Sequence, residues 1–369
     1  MLYCGLKLSI MAKKVLYLLG AGATHGMLQD QDSTLRLMPR EIQSTIFNKY
    51  KRKLPPNVDE KAWVAFEKTT DVEHFISILE YQNNFEAAET IRRLYRQAIV
   101  KAASGLSTNP PKTNLYAVLL DYQLNLATKY LDQELLGFVS FNYDDVLENT
   151  INTHFGVVNY VFREQRSGKS GGDESVDVFK LHGSFNWVNT RPIRIRRMKY
   201  MSSLPALWIP PGVDKKKDSY PFNLIWGNLT ERLLKCDILR IIGCSLSRND
   251  WGLVPIIYTM REFVSRNRFE IEVIGPPDAA ETIKGNYGYL KPIKSMLEME
   301  DVKAYFADRT GGIGSEEDLK AEIAASLNDA DKGNPFREWL LSKIYDLDRT
   351  RNLSIDTDTG IVKDFNSSG

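Results

Sequence analysis

The chain has 369 residues, 43% hydrophobic and 26% charged, which is enough apolar material for one large domain or two smaller ones. A formal net charge of +1 leaves no overall field and so argues against a chain-wide role on nucleic acid or a membrane surface. Cys4, Cys236 and Cys244 form no CxxC pair, so neither a disulfide framework nor a four-cysteine zinc module can be built. The expectation is a cytoplasmic protein without a metal site.

Residues 1–11 are mildly apolar but lack the basic start, long apolar core and cleavage-like end of a signal peptide. No apolar run approaches a membrane span. The first strong element is VLYLL at 15–19, an apolar run that stops at Gly20-Ala21-Gly22-Ala23-Thr24. This pattern predicts a buried parallel strand followed by a turn that can approach a phosphate at a helix N-terminus.

A long region of helical period follows. Val72, Phe75, Ile76 and Leu79 share one face of a helix over 71–81, and Phe85 to Ala103 reads as a second helix, closed by Ser104-Gly105. Asn114 to Leu131 reads as a third, with Leu115, Val118, Leu119, Tyr122 and Leu126 as its apolar stripe. The next strand is Leu135 to Phe141, running into Asn142-Tyr143-Asp144-Asp145, with a helix after it through Leu147 and Ile151. Asn159 to Arg163 reads as a short strand, Gly168 to Asp173 as a loop, and Val176 to Leu181 as a strand ending on His182-Gly183-Ser184. Residues 191–218 hold prolines and basic residues and read as a surface excursion. A helix over 223–236 leads to a strand over 237–242, which ends at Gly243-Cys244-Ser245. Another strand, 269–274, ends at Gly275-Pro276. From Pro292 on, the chain reads as polar and helical, with 356–369 frayed.

The fold class implied is α/β, a Rossmann-like doubly wound parallel sheet with a helical insertion at about residues 27–131. The sheet domain is expected over 12–290 and a mostly helical extension over 291–369. In such a sheet ligands bind outside the carboxyl ends of the strands, so the small and polar residues after positions 19, 141, 181, 242 and 274 can converge on one crevice.

The ordered set GAGAT, SFNYD, LHGS and GCSL resembles the sirtuin superfamily, and more closely the sirtuin-like NAD-consuming proteins of bacterial antiviral defence. TTDVEHFISILE resembles a helical segment of the same branch. The resemblance covers roughly residues 15–280. It implies that Asn142 and His182 are the catalytic pair and that Asp144 lines the nicotinamide side. It further implies that Gly20, Ala21, Gly22 and Thr24 hold the diphosphate of NAD, and that Gly243 and Ser245 meet the adenosine half. The chemistry of these residue types agrees. An amide can grip a ribose hydroxyl and a water together, and a neutral imidazole can accept a proton near pH 7. His25 stands only at the edge of this set, and Asp250 reads as a loop or cap residue.

Departures from the deacylase pattern are specific. Phe141 replaces the glutamine before the motif asparagine, Gly26-Met27-Leu28-Gln29-Asp30 replaces a G-I-P-D-F-R stretch, and Gly275-Pro276 replaces a late asparagine. The zinc ribbon has no counterpart. The resemblance therefore implies hydrolysis of NAD to nicotinamide and ADP-ribose in an antiphage system, with homo-oligomerisation and a HerA-type ATPase partner. An NAD-dependent protein deacylase and a non-catalytic NAD or ADP-ribose sensor remain as alternatives.

Overall fold

The computed structural model describes residues 12–25, 39–50, 53–69, 72–106, 115–128, 133–162, 175–201, 204–210, 218–244, 246, 270–274, 293–295, 353–355 and 362–364. The apolar run at the start forms β1 (Lys13–Leu19), followed by the one-turn helix α1 (Ala21–His25). Helices α2 (Pro39–Lys49), α3 (Glu60–Lys68), α4 (Val72–Tyr81), α5 (Phe85–Leu106) and α6 (Leu115–Leu120) intervene before β2 (Gln133–Ser140). Then come α7 (Val146–His154), β3 (Val157–Tyr160), β4 (Ser175–Lys180), β5 (Gly183–Val188), β6 (Arg194–Ile195) and β7 (Ala206–Trp208). Helix α8 (Phe222–Lys235), β8 (Ile238–Ile242), β9 (Glu270–Ile274), β10 (Ile293–Ser295), β11 (Leu353–Ile355) and β12 (Val362–Asp364) complete the described elements.

Seven strands form one sheet in the order β10-β9-β8-β1-β2-β4-β3, with every neighbouring pair parallel. This is the α/β, Rossmann-like arrangement expected. Its central strands are buried on both sides, which is why Val15 to Leu19 reads as a continuous apolar run and Ile238 to Ile242 is apolar except for the buried Arg240, rather than alternating. From β1 the chain moves outward through β2 to β3 and β4, then returns to lay β8 on the other side of β1. The reversal puts a crevice between the carboxyl ends of β1 and β8.

The helices between β1 and β2 have their own aromatic packing. Trp63 stacks on Phe47 at 5.5 Å and on Phe66 at 5.3 Å between ring centroids. Asp59 starts α3 by accepting from the Ala62 N–H at 2.7 Å, and Asn84 starts α5 by accepting from the Ala87 N–H at 3.3 Å.

Two expectations are corrected. The helix expected over 114–131 is α-helical over Leu115–Leu120 and is then interrupted by a π-helix, Asp121–Ala127. The wider turn presents Gln123 to the sheet, where its Oε1 accepts from the Tyr17 hydroxyl at 2.7 Å and from Arg240 Nη1 at 3.1 Å. The surface excursion, in turn, is partly ordered sheet. β5 is the centre of a second, antiparallel sheet flanked by β6 and β7, and all six of its residues are buried. The run GSFNWV has no alternation because both of its faces are covered. At its start Gly183 has φ +75°, and a Cβ there would lie 2.5 Å from the Leu207 carbonyl oxygen.

Beyond residue 291 the described residues are strands. Ile293–Ser295 is an edge of the main sheet, just past the expected boundary, and β11 pairs with β12 antiparallel. The helices expected there, Asp71 and the loop over 168–173 lie outside the described residues. Among the described residues no helix is long and apolar enough to cross a membrane.

Candidate functional site

Adjacent strands β8, β1, β2 and β4 end level with one another, and backbone bonds continue the ladder just past each end. The Gly20 N–H donates to the Ile242 carbonyl at 3.0 Å, Phe141 N–H to Leu19 at 3.0 Å, and Leu181 N–H to Ser140 at 3.1 Å. Four parallel strands thereby deliver Gly243, Gly20, Asn142 and His182 side by side.

The two glycine turns touch. Gly22 N–H donates to the Gly243 carbonyl at 2.9 Å, and Ala23 N–H to Gly20 at 3.0 Å. Gly243 sits at φ +59°, and a Cβ there would fall 2.0 Å from the Ala23 nitrogen; one on Gly20 would fall 2.5 Å from the Gly243 oxygen. The sequence reading gave these glycines to a diphosphate. Their geometry adds a second requirement, the contact between the loops themselves, and it occupies the N–H groups of Gly20, Gly22 and Ala23.

Asn142 is buried at 8% exposure and bound to the first of these turns. Its Nδ2 donates to the Gly20 carbonyl and to Thr24 Oγ1, both at 2.9 Å. A carbonyl can only accept, so the Gly20 contact fixes which end of the amide is nitrogen. Planar amide geometry then turns Oδ1 to the opposite side as an acceptor. Thr24, itself fully buried, shares a 2.9 Å hydrogen bond with the Tyr116 hydroxyl of α6. Burial pushes the Tyr116 phenol well above its ordinary value, with the Asp144 charge adding to the shift, so the hydroxyl keeps its proton. The helical insertion thus reaches the turn through the Tyr116 side chain.

His182 is also buried, with its ring centroid 5.6 Å from Phe141 and 6.1 Å from Tyr143. Tyr143 is clamped by the small sheet. It stacks on Phe185 at 4.8 Å, meets Trp208 edge-on at 5.3 Å, and donates its hydroxyl to the Ile209 carbonyl at 3.0 Å. Its own carbonyl accepts from Ser184 Oγ and the Phe185 N–H, each at 3.0 Å. The antiparallel sheet absent from the sequence reading is therefore what holds the segment between Asn142 and Asp144.

Beneath that segment lies a buried charged layer. Asp144 Oδ1 accepts from the Val146 N–H at 3.1 Å at the start of α7, and Asp145 Oδ2 accepts from Asn186 Nδ2 at 3.2 Å. Lys180 and Glu148, exposed by 1% and 2%, form an ion pair at 3.0 Å, and Lys180 Nζ also donates to the Asp144 carbonyl at 2.5 Å. Burial pushes the Glu148 carboxyl up to about 7, against the pull of Lys180, and Asp145 and Asp144 add to the rise. Burial likewise raises Asp144, with Lys180 opposing. Sequence reasoning missed Lys180, Glu148, Tyr116 and Tyr143. Lys180 carried a usable signal: a cation in the otherwise apolar half of VDVFKL requires a buried partner.

Gly20, Ala21, Gly22, Thr24, Asn142, Asp144, His182 and Gly243 thus converge on one end of the sheet. Ser245 and Asp250 lie outside the described residues, and His25 is described only as the last residue of α1. Among the described residues no group of three His, Cys, Asp or Glu side chains could hold a metal ion.

Neither a protein-family model nor a curated protein matches the chain. Among solved structures it is similar to a Sir2 homologue in complex with ADP-ribose, at 14% identity and a TM-score of 0.32, covering 76% of this chain and 91% of that one. It is similar also to a Sir2 homologue–NAD complex, at 12% identity and a TM-score of 0.33, covering 86% and 91%. A structure described as the basis for the mechanism and regulation of Sir2 enzymes gives 12% identity and a TM-score of 0.36, covering 86% and 92%. Likeness at this level carries no argument about activity, and the fold stands on the strand order itself.

Proposed function

We propose that this chain is a sirtuin-like NAD glycohydrolase that cleaves NAD to nicotinamide and ADP-ribose. In this reading it is a NAD-depleting effector of bacterial antiphage defence, working as a cytoplasmic homo-oligomer with a HerA-type ATPase. The catalytic unit is the sheet from β1 to β10 with its helical insertion, and the remaining residues form an extension. The observation that carries the reading is the buried amide of Asn142, whose donor end is committed to Gly20 and Thr24 and whose oxygen is thereby its acceptor, one strand over from His182.

Breaking the bond between nicotinamide and ribose leaves an oxocarbenium-like carbon that takes up water, and the net reaction releases one proton. Asn142 Oδ1 would accept a hydrogen bond from the incoming water, and His182 would take the proton from that water or from a ribose hydroxyl. Asp144 would sit on the nicotinamide side. Its carboxyl is held by the Val146 N–H and its main-chain carbonyl by Lys180. The glycine turns at the β1/β8 crevice would carry the diphosphate, and Gly243 with Ser245 the adenosine half.

Nicotinamide release from NAD tests the proposal directly. In an active assembly Asn142→Ala should lower turnover by about two orders of magnitude or more, the scale of losing one precisely placed polar group. Full turnover by that variant overturns the assignment. Consumption only when acyl-peptide is supplied would identify a deacylase, and binding with no turnover a sensor.

A further inference from the structure

Two short stretches concentrate positive charge in a chain that is otherwise nearly neutral. Residues 92–101 and 191–200 together hold nine Lys and Arg and no Asp or Glu. The fold brings them to one place. Helix α5 carries Arg93, Arg96, Gln97, Val100 and Lys101 at helical spacing along one stripe, and the 3-10 turn Met198–Tyr200 packs against it, bringing Lys199 to the opposite wall. The groove between them has a volume of about 570 Å³.

We propose that this groove is a binding site for the phosphates of a nucleotide, separate from the glycine turns. Among the described residues its wall includes no carboxylate, and none of Arg93, Lys101 and Lys199 is ion-paired with one. Arg92, the residue just outside the stripe, is the one that takes the carboxylates of Glu80 and Glu89. Cations left together without counter-charges repel one another, and a phosphate relieves that repulsion.

One cation is already positioned. Arg96 Nη2 donates to the carbonyls of Met201, at 2.6 Å, and Leu204, and its guanidinium lies 5.9 Å over the Phe185 ring. Such an arginine loses little further freedom when it binds, and with Nη2 committed to the two carbonyls it is Nη1 that would meet a phosphate oxygen. Gln97 adds amide hydrogen-bonding capacity to the same stripe. Phe185 is the ring on which Tyr143 stacks, so Arg96, which lines the groove, rests on a support of the Asn142–Asp144 segment. A bound nucleotide would therefore bias the geometry of the candidate active site; this second part rests on the proposed NAD reading, whereas the binding itself does not.

Calorimetric titration of the full chain with tripolyphosphate, ATP and a short single-stranded oligonucleotide tests the site. The Arg93→Gln/Lys101→Gln variant changes two exposed residues and should keep its fold, as checked by circular dichroism. At least one probe should bind, with affinity falling as salt rises and falling about tenfold or more in the variant, whereas Asn142→Ala should bind it as wild type does. Tighter binding of ATP than of the oligonucleotide identifies a free nucleotide as the source, and the reverse order a nucleic-acid strand. No binding by any probe, or equal binding by wild type and the double variant, overturns the proposal. Nicotinamide release measured with and without the bound probe reports the coupling separately, so loss of the NAD reading leaves the binding result interpretable.

Discussion

Gly243 is the residue on which the closest contact at the site depends. Its φ of +59° is open to glycine and strained for other residues, and its Cα faces the backbone of Gly22 and Ala23 with no room for a methyl group. Backbone cannot rotate out of the way as a flexible side chain would. Gly243→Ala should therefore destabilise the protein by about 2–5 kcal/mol, combining left-handed strain with overpacking. Thermal or denaturant unfolding reads this, and a variant as stable as wild type would show that the two turns separate freely. Asn142 belongs to the same scale. One side chain joins the turn after β1 to the strand end after β2, and the Gly20 carbonyl decides which way its amide faces.

Between elements, the decisive link is Lys180. It closes β4 against α7 through Glu148 and reaches the Asp144 carbonyl, thereby tying the strand that leads to His182 to the segment that carries Asn142. Lys180→Met leaves the Glu148 carboxyl buried without its cation and should cost about 3–5 kcal/mol, while Lys180→Met/Glu148→Leu should recover much of that loss. A double variant no more stable than the single one would show that the lysine acts through the carbonyl and not the carboxylate. The π-helix Asp121–Ala127 performs a comparable service on Arg240. That guanidinium is fully buried and satisfied by Tyr17 at 2.8 Å, Gln123 and Gln133 at 3.1 Å each, and Glu272 at 2.7 Å. A regular α-helix was the natural reading of 114–131 because periodicity records which residues face inward, not which hydrogen-bond ladder they close.

For the whole molecule, the buried acids make stability depend on pH in a definite direction. Glu148, facing Lys180, Asp144, Asp145 and Tyr160, is held at about 7, above its unfolded value, so the folded state prefers the protonated form. That contribution is fully present below the unfolded carboxyl range and is lost as pH rises through about 7; Asp144, raised in the same direction, adds to it. Unfolding free energy should fall from about pH 5 to pH 7, and Glu148→Gln should flatten part of that fall. A variant with an unchanged pH profile would place the titration elsewhere. The amino-acid sequence by itself determined the parallel sheet and the identity of its strand ends, because a strand buried on both faces is mostly apolar without alternation and a tight turn is built of small or polar residues. It also placed Gly20, Asn142, His182 and Gly243 at successive ends. Only the tertiary structure decided that β8 and β1 are neighbours, that GSFNWV starts a second sheet clamping Tyr143, and that Lys180 meets Glu148. Those facts depend on pairings between residues far apart in the chain, and local spacing carries no record of which distant partner a buried charge or a glycine turn will meet.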